Sequence, residues 1–289
     1  MKSEIKKGHN VVGKVEPGGE VKRQIILCGH HDSARVCNFL EKNQKLYAFR
    51  LILPVIFYSA LIIFTVLFIL FDASALQWKE FIISAKIISF AGYFFILPMF
   101  FYHSRKVSFG AGDNLICSVM SAKIPEIIKN AHGQLKHTRI IFLSTDGEEI
   151  GQKGAQAYIR KHKNELKDTK TYVFNMDSIY TVQDLALLKT EINGTKKLNM
   201  RLIEETSELS EKIGHRIKTK PIPFIGGGTD AGQFARAGID AVSLIGISTD
   251  LVRKNLTNHT SKDTLEYIDP EAIEIALNMA INFIIEKDR

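Results

Sequence analysis

The stretch Arg139-Ile140-Ile141-Phe142-Leu143-Ser144-Thr145-Asp146-Gly147-Glu148-Glu149-Ile150-Gly151 runs an apolar segment directly into a pair of adjacent acids. Apolar side chains that do not alternate with polar ones, over the length of a strand, mark a strand covered on both faces. Three other segments read the same way: Gln24-Ile25-Ile26-Leu27-Cys28, Thr171-Tyr172-Val173-Phe174-Asn175 and Ala241-Val242-Ser243-Leu244-Ile245. Helical patterns cover 114–131 (despite Pro125), 151–165, the region near 197–213, and 270–286. The last places Ile273, Ala276, Leu277, Ala280 and Ile281 on one side. Buried strands separated by helices predict an α/β fold, a mostly parallel or mixed central sheet with helices on both faces. There are no internal repeats and no low-complexity tracts.

One block departs from this pattern. A mean hydropathy of zero averages a polar chain with a very apolar insertion. No charge occurs from Leu51 to Phe71, and only Lys86 from Phe81 to Phe101. Each run is long enough to cross a hydrocarbon core of roughly 30 Å as a helix. A helix of a soluble protein keeps one polar side, and these do not. The reading is therefore a transmembrane helical hairpin over 46–104, with helices at about 51–71 and 81–101, interrupting an α/β domain formed by 1–45 and 105–289. Trp78, in the connector Asp72-Ala73-Ser74-Ala75-Leu76-Gln77-Trp78-Lys79-Glu80, stands where an interfacial aromatic belongs. Lys42, Lys45 and Arg50 precede the hairpin, Arg105 and Lys106 follow it, and the connector holds only Lys79. The positive-inside bias then predicts a multi-pass membrane protein with both polar parts in the cytoplasm. Lys86, one turn from its helix end, can snorkel to the interface and is given no function.

Residues 1–8 contain no apolar stretch, so no cleavable signal peptide is expected. The 3 cysteines, Cys28, Cys37 and Cys117, show no metal-type spacing and are odd in number, which suits a reducing compartment. The sequons at Asn193, Asn255 and Asn258 then read as chance matches. The net charge of +7 belongs partly to the membrane flanks, and no basic patch interleaved with aromatics argues for nucleic acid.

Metal-ligating residues fall at five places, at the carboxyl ends of the predicted strands or in the loops beyond: His30, Asp113, the Glu148–Glu149 pair, Asp177 and His259. That edge of an open α/β sheet is where binding sites form. Two imidazoles and several carboxylates supply the neutral nitrogen and anionic oxygen that a pair of zinc ions takes.

Over residues 10–45 and 106–289 the chain resembles metallopeptidase family 28, double-zinc aminopeptidases whose relatives include glutamate carboxypeptidase II and glutaminyl cyclases. The resemblance is carried by His30-His31-Asp32-Ser33 after a strand, Asp113-Asn114 after a Gly turn, Glu148-Glu149-Ile150-Gly151 with Gly154-Ala155, Asp177, and His259-Thr260-Ser261-Lys262-Asp263-Thr264. It implies two Zn2+ per chain, held by His30, Asp113 as the bridging carboxylate, Glu149, Asp177 and His259. It also implies Glu148 as general base and Asp32 as the carboxylate that orients the His30 ring. His31 is a bystander in this reading. An Asp rather than a Glu at 177 points to an aminopeptidase. Gly228-Thr229-Asp230-Ala231-Gly232 departs from the family, which usually reads Ser-Asp-His here. Ala231 replaces that His, and Gly-Thr-Asp-Ala is similar to aminopeptidases of family 42. Thr229 and Asp230 are accordingly expected in a substrate loop or behind the ligands.

The expected function is a membrane-anchored zinc aminopeptidase whose partners are a peptide substrate and the lipid bilayer. The hairpin fills the gap between His30 and Asp113, where the family has a short loop, and either only anchors or also gates substrate. Without the hairpin the chain is shorter than the family's usual catalytic domain, so the fold is either trimmed or completed by a second copy or another partner. The alternatives are a glutaminyl-cyclase-like acyl transferase with one zinc, and a non-catalytic membrane protein that keeps the fold.

Overall fold

The computed structural model describes residues 7–70, 75–223, 226–248 and 256–289. The residues expected at Phe71 and Asp72–Ser74 of the hairpin, the sequon at Asn255 and the first residues of the expected leaderless N-terminus lie outside these segments. The chain divides into two compact units. The first comprises Met1–Ala34, Ser108–Thr249 and Lys262–Arg289; the second comprises Arg35–Val107 and Asp250–Ser261.

The first unit is built on a seven-stranded sheet. Its strands in chain order are β1 (Val11–Val15), β2 (Arg23–His30), β3 (Thr138–Thr145), β4 (Lys170–Ile179), β5 (Ala186–Leu188), β6 (Lys218–Lys220) and β7 (Asp240–Gly246). They lie side by side in the order β1-β3-β2-β4-β7-β5-β6. The four central strands, β3, β2, β4 and β7, are mutually parallel. β1 is antiparallel to β3 and β5 is antiparallel to β7, so the sheet is mixed, as expected.

Both faces of the centre are buried because successive side chains of a strand point to opposite sides. Ile25, Leu27, Phe174 and Met176 face one side, under the helices Ile116–His132, Met200–Lys212 and Pro270–Asp288. Ile26, Cys28, Ile141, Leu143 and Val173 face the other, under Lys153–Lys161 and Asp230–Arg236. The predicted strands are thus present with slightly longer bounds. The helix expected over 151–165 is two helices, Lys153–Lys161 and Lys163–Asp168, which meet at His162. The helix expected from 114 begins at Ile116, because Asp113 and Asn114 have non-helical backbone angles. β1, β5, β6 and the helix Asp230–Arg236 were not anticipated from pattern.

In the second unit, the short strands Arg35–Cys37 and His103–Val107 pair antiparallel. A small core of Cys37, Phe39 and Leu40 packs with Tyr47, Met99, Tyr102 and Leu256. The Tyr47 and Tyr102 hydroxyls lie 3.1 Å apart. Two long helices follow, Tyr47–Leu70 and Ala75–Ile96, the second continued by a 3-10 turn over Leu97–Phe101. Aromatic contacts tie them together: the rings of Phe68 and Phe81 stack at 3.9 Å, and Phe57 lies 5.4 Å from Phe95. Both are long and apolar enough to cross a membrane, by length and composition. The first has no buried residue, and Ile62, Ile63, Ile69, Ile87, Phe90 and Phe94 are all exposed.

Candidate metal centre

His30 is the last residue of β2 and is almost fully buried. The preceding Gly29 has a steric reason. A β-carbon there would come within 2.9 Å of the backbone at Cys117 and Ser118, where the helix Ile116–His132 crosses the strand end. That close approach lets the Ser118 hydroxyl donate to the His30 carbonyl at 2.8 Å. The imidazole Nδ1 lies 3.0 Å from the Asp32 carbonyl and 3.4 Å from its carboxylate. With Nδ1 facing these acceptors, Nε2 faces the acids: 3.2 Å to Asp113 Oδ1, and 4.0 Å to both Glu148 Oε2 and Asp177 Oδ2. Burial alone would lower the His30 pKa, but hydrogen bonding to Asp113 and Asp32 and the Asp177 charge raise it well above its ordinary value.

Asp32 connects the β2 end to the loop after β3. Its two carboxylate oxygens accept the backbone N–H groups of Glu148 at 3.0 Å and Glu149 at 3.1 Å. Burial pushes this carboxyl up, but His30 and the two N–H donors outweigh it and hold it below its ordinary value. One side chain therefore sets both the His30 ring and the backbone of the acid pair.

Asp113 sits in a tight turn joined to its neighbours at two points. The Gly112 N–H donates to Asp263 Oδ1 at 2.8 Å. A β-carbon on Gly112 would overlap the Tyr180 ring. Asn114, buried, donates from its side-chain amide to the Met176 carbonyl at 3.0 Å and accepts the Ser178 N–H at 3.2 Å. It thus fastens the Asp113 turn on both sides of Asp177 in β4. The Ser178 hydroxyl in turn donates to Asp177 Oδ1 at 2.8 Å.

These elements bring His30, Asp113, Glu148 and Asp177 together in buried surroundings. Ligand atoms of His30, Asp113 and Glu149 all lie within 4.8 Å of one another. Burial, opposed by His30 and reinforced by the Asp113 charge, pushes Asp177 up to about 8. Burial likewise pushes Glu148 well above the usual carboxylate range. Several carboxylates held out of water around one imidazole are costly unless a cation sits among them. The nitrogen-and-oxygen donor set is one that a zinc ion takes, so the residues present fit such an ion.

The remaining expected residues make the following contacts. Thr229 caps the helix Asp230–Arg236, and its N–H and hydroxyl both donate to the buried Glu191, at 2.8 and 2.7 Å. Asp230 accepts from the Thr145 hydroxyl and lies 3.8 Å from Cys28 Sγ, so it braces the helix against β2 and β3. Both contact other buried groups. His259 belongs to the second unit, where its carbonyl accepts the Cys37 N–H at 2.7 Å. His31, the expected bystander, has Nδ1 2.7 Å from the Ser144 hydroxyl, which is 2.9 Å from Ser118. Three residues that the motifs did not single out also touch the centre or its supports: Gln152, hydrogen-bonded to Glu148 at 2.8 Å, with Ser178 and Tyr180. Only Gln152 carried a signal, its place four residues after Glu148, in the turn that leads into a helix.

No curated protein matches the sequence. Among solved structures, BSAP, a zinc aminopeptidase from Bacillus subtilis, is similar with a TM-score of 0.59 and 18% identity, over 96% of this chain and 50% of that one. An aminopeptidase from Aneurinibacillus sp. strain AM-1 is similar with a TM-score of 0.58 and 16% identity, over 96% and 47%. A glutaminyl cyclase from Bacteroides thetaiotaomicron has a TM-score of 0.59 and 13% identity, over 96% and 77%. The chain spans about half the length of the two aminopeptidases. At these identities the likeness is one of fold, a mixed central sheet flanked by helices. The family model of peptidase family M28 matches residues 98–284, more than half of the sequence. The chain belongs to peptidase family M28.

Proposed function

We propose that this chain is a membrane-anchored, zinc-dependent aminopeptidase that removes N-terminal residues from peptides. The observation that carries the reading is the convergence of three carboxylates from three separate segments of the chain within 4.0 Å of His30 Nε2, in a member of a peptidase family. In this reading His30, Asp113, Glu149 and Asp177 would hold zinc. When bound, zinc makes water a usable nucleophile near neutral pH and polarises a substrate carbonyl.

The chain's own residues do the rest. Asp32 and its carbonyl face His30 Nδ1, which fixes the tautomer and leaves Nε2 free to ligate. Asn114 holds the Asp113 turn against the end of β4, so two ligands from distant parts of the chain keep one spacing. Glu148, buried beside His30, accepts a proton from the attacking water and returns it to the leaving amine. Burial supports that role, because it raises the carboxylate's proton affinity toward the working pH.

The membrane part of the proposal rests on the two apolar helices of the second unit, whose large side chains are exposed along their length. Apolar faces of this extent are compatible with lipid and not with water. We favour plain anchoring, with the polar parts in the cytoplasm by the charge bias of the flanks.

The test uses detergent-purified full-length protein with a panel of aminoacyl-p-nitroanilides and their N-acetylated counterparts. Turnover of the free-amine substrates only, lost by about 10³-fold or more in Glu148→Gln, is expected. Equal turnover of the acetylated compounds would reject an aminopeptidase, and wild-type rates in Glu148→Gln would remove the assigned base. Cyclisation of an N-terminal glutamine without hydrolysis would instead establish the acyl-transfer alternative.

A further inference from the structure

Gln152 follows the acid pair by one turn and has left-handed backbone angles (φ 53°) just before the helix Lys153–Lys161. This conformation is uncommon for a residue with a side chain, and it turns the Gln152 amide back over the loop. Its Nε2 donates to Glu148 Oε1 at 2.8 Å and lies 3.3 Å from the Gly228 carbonyl. Its Oε1 accepts from Gln233 Nε2 at 3.1 Å. Gln233 is itself buried on the helix Asp230–Arg236.

The partners fix which way the amide faces. Two acceptors, a carboxylate and a carbonyl, surround its nitrogen, and a donor faces its oxygen. A flipped amide would set oxygen against oxygen at Glu148 and nitrogen against nitrogen at Gln233. Glu148 Oε1 is therefore occupied, and the oxygen presented to His30 Nε2, at 4.0 Å, is Oε2. Asp32 holds the Glu148 backbone from one side while Gln152 holds its carboxylate from the other.

We propose that Gln152, backed by Gln233, is a positioning residue that aims one oxygen of Glu148 at the metal centre and keeps the other out of the reaction. The inference rests on the proposed role of Glu148 as the base. It assigns Gln152 no contact with substrate or metal. Its function is the orientation of a buried carboxylate that would otherwise turn about its last bonds.

The experiment compares Gln152→Leu and Gln152→Glu with wild type in the full-length protein. Both retain the side chain's bulk. Steady-state kinetics, bound zinc and a crystal structure of Gln152→Leu are measured. Loss of a hydrogen bond to a charged group predicts a kcat about 10- to 100-fold lower in Gln152→Leu, with KM within about 2-fold and zinc content unchanged. Gln152→Glu, which sets a second carboxylate against Glu148, should fall further. The crystal structure should show the Glu148 carboxylate rotated away from its wild-type position. A Glu148 carboxylate in its wild-type position, or a kcat within about 2-fold of wild type in both variants, would overturn the proposal. A loss confined to KM or to zinc content would overturn it too, since it would place Gln152 in substrate or metal binding. If Glu148→Gln retains wild-type turnover, the assignment of the base fails; the crystal structure then still decides whether Gln152 orients Glu148.

Discussion

Replacing Asp32 with Asn should weaken zinc binding although Asp32 is not itself a proposed ligand. The carboxylate serves three partners: His30 Nδ1 at 3.4 Å, the Glu148 N–H at 3.0 Å and the Glu149 N–H at 3.1 Å. An asparagine has the same shape but only one acceptor oxygen, so one backbone N–H of the acid pair then faces an NH2 group. Hydrogen bonds to charged groups contribute about 1.5–3 kcal/mol each, and one such bond is lost outright. The charge behind His30 is lost as well, which lowers the basicity of Nε2. Together these predict zinc affinity lower by about 10- to 100-fold. The assay is competition with a chromophoric chelator, with wild type and variant titrated side by side. The contact of His30 Nδ1 with the Asp32 carbonyl remains in the variant, so the ring should not leave its site. A zinc affinity within about 2-fold of wild type, with the fold intact, would show that Asp32 does not tune the His30 ligand.

Other consequences follow from the same geometry. Asn114→Ala removes the bonds to Met176 O and Ser178 N and strands both in the interior, and differential scanning calorimetry should register a loss of about 2–4 kcal/mol. Burial, against the Thr229 donors, pushes Glu191 up to about 7 from 4.5. The unfolded chain then releases this proton before the folded one does, so the contribution is full below pH 4.5 and is lost as pH rises to about 7. Denaturant melts should show wild type losing up to about 3 kcal/mol relative to Glu191→Gln across that window, and parallel pH profiles would contradict the assignment. If the apolar helices lie in lipid, the protein stays in the pellet after alkaline carbonate extraction of membranes; release into the supernatant would contradict anchoring.

The parts legible in sequence are those dominated by local chemistry. β2, β3, β4 and β7 are near-continuous apolar runs because both sides of the sheet are covered, and such runs identify themselves. β2 ends at His30, β3 ends three residues before Glu148 and β4 carries Asp177 near its end, which is why these residues could be picked out together. β1 was missed because it is an edge strand, with Val11, Val12 and Val15 exposed and only one neighbour, β3. β5 and β6 are three residues each and exist only through pairing with distant strands, which local pattern cannot express. A resemblance to a family segment singles out Thr229 and Asp230, as residues of a substrate loop or behind the ligands. Their partners, Glu191 and Thr145, come from remote segments, and those contacts make them supports. Asn114 and Gln152 illustrate the same limit. Asn114 stands beside Asp113 in the motif and Gln152 four residues after Glu148, but what each holds is seen only once the fold sets it against Ser178 or Glu148.

The proposed function requires two metal ions among the acids around His30. The direct measurement is metal content by mass spectrometry on full-length protein purified in detergent without chelator and dialysed against zinc-containing and then metal-free buffer. Two zinc ions per chain are predicted, falling by at least one in His30→Ala. One zinc per chain would contradict the paired centre, and none would contradict a metal-dependent peptidase altogether.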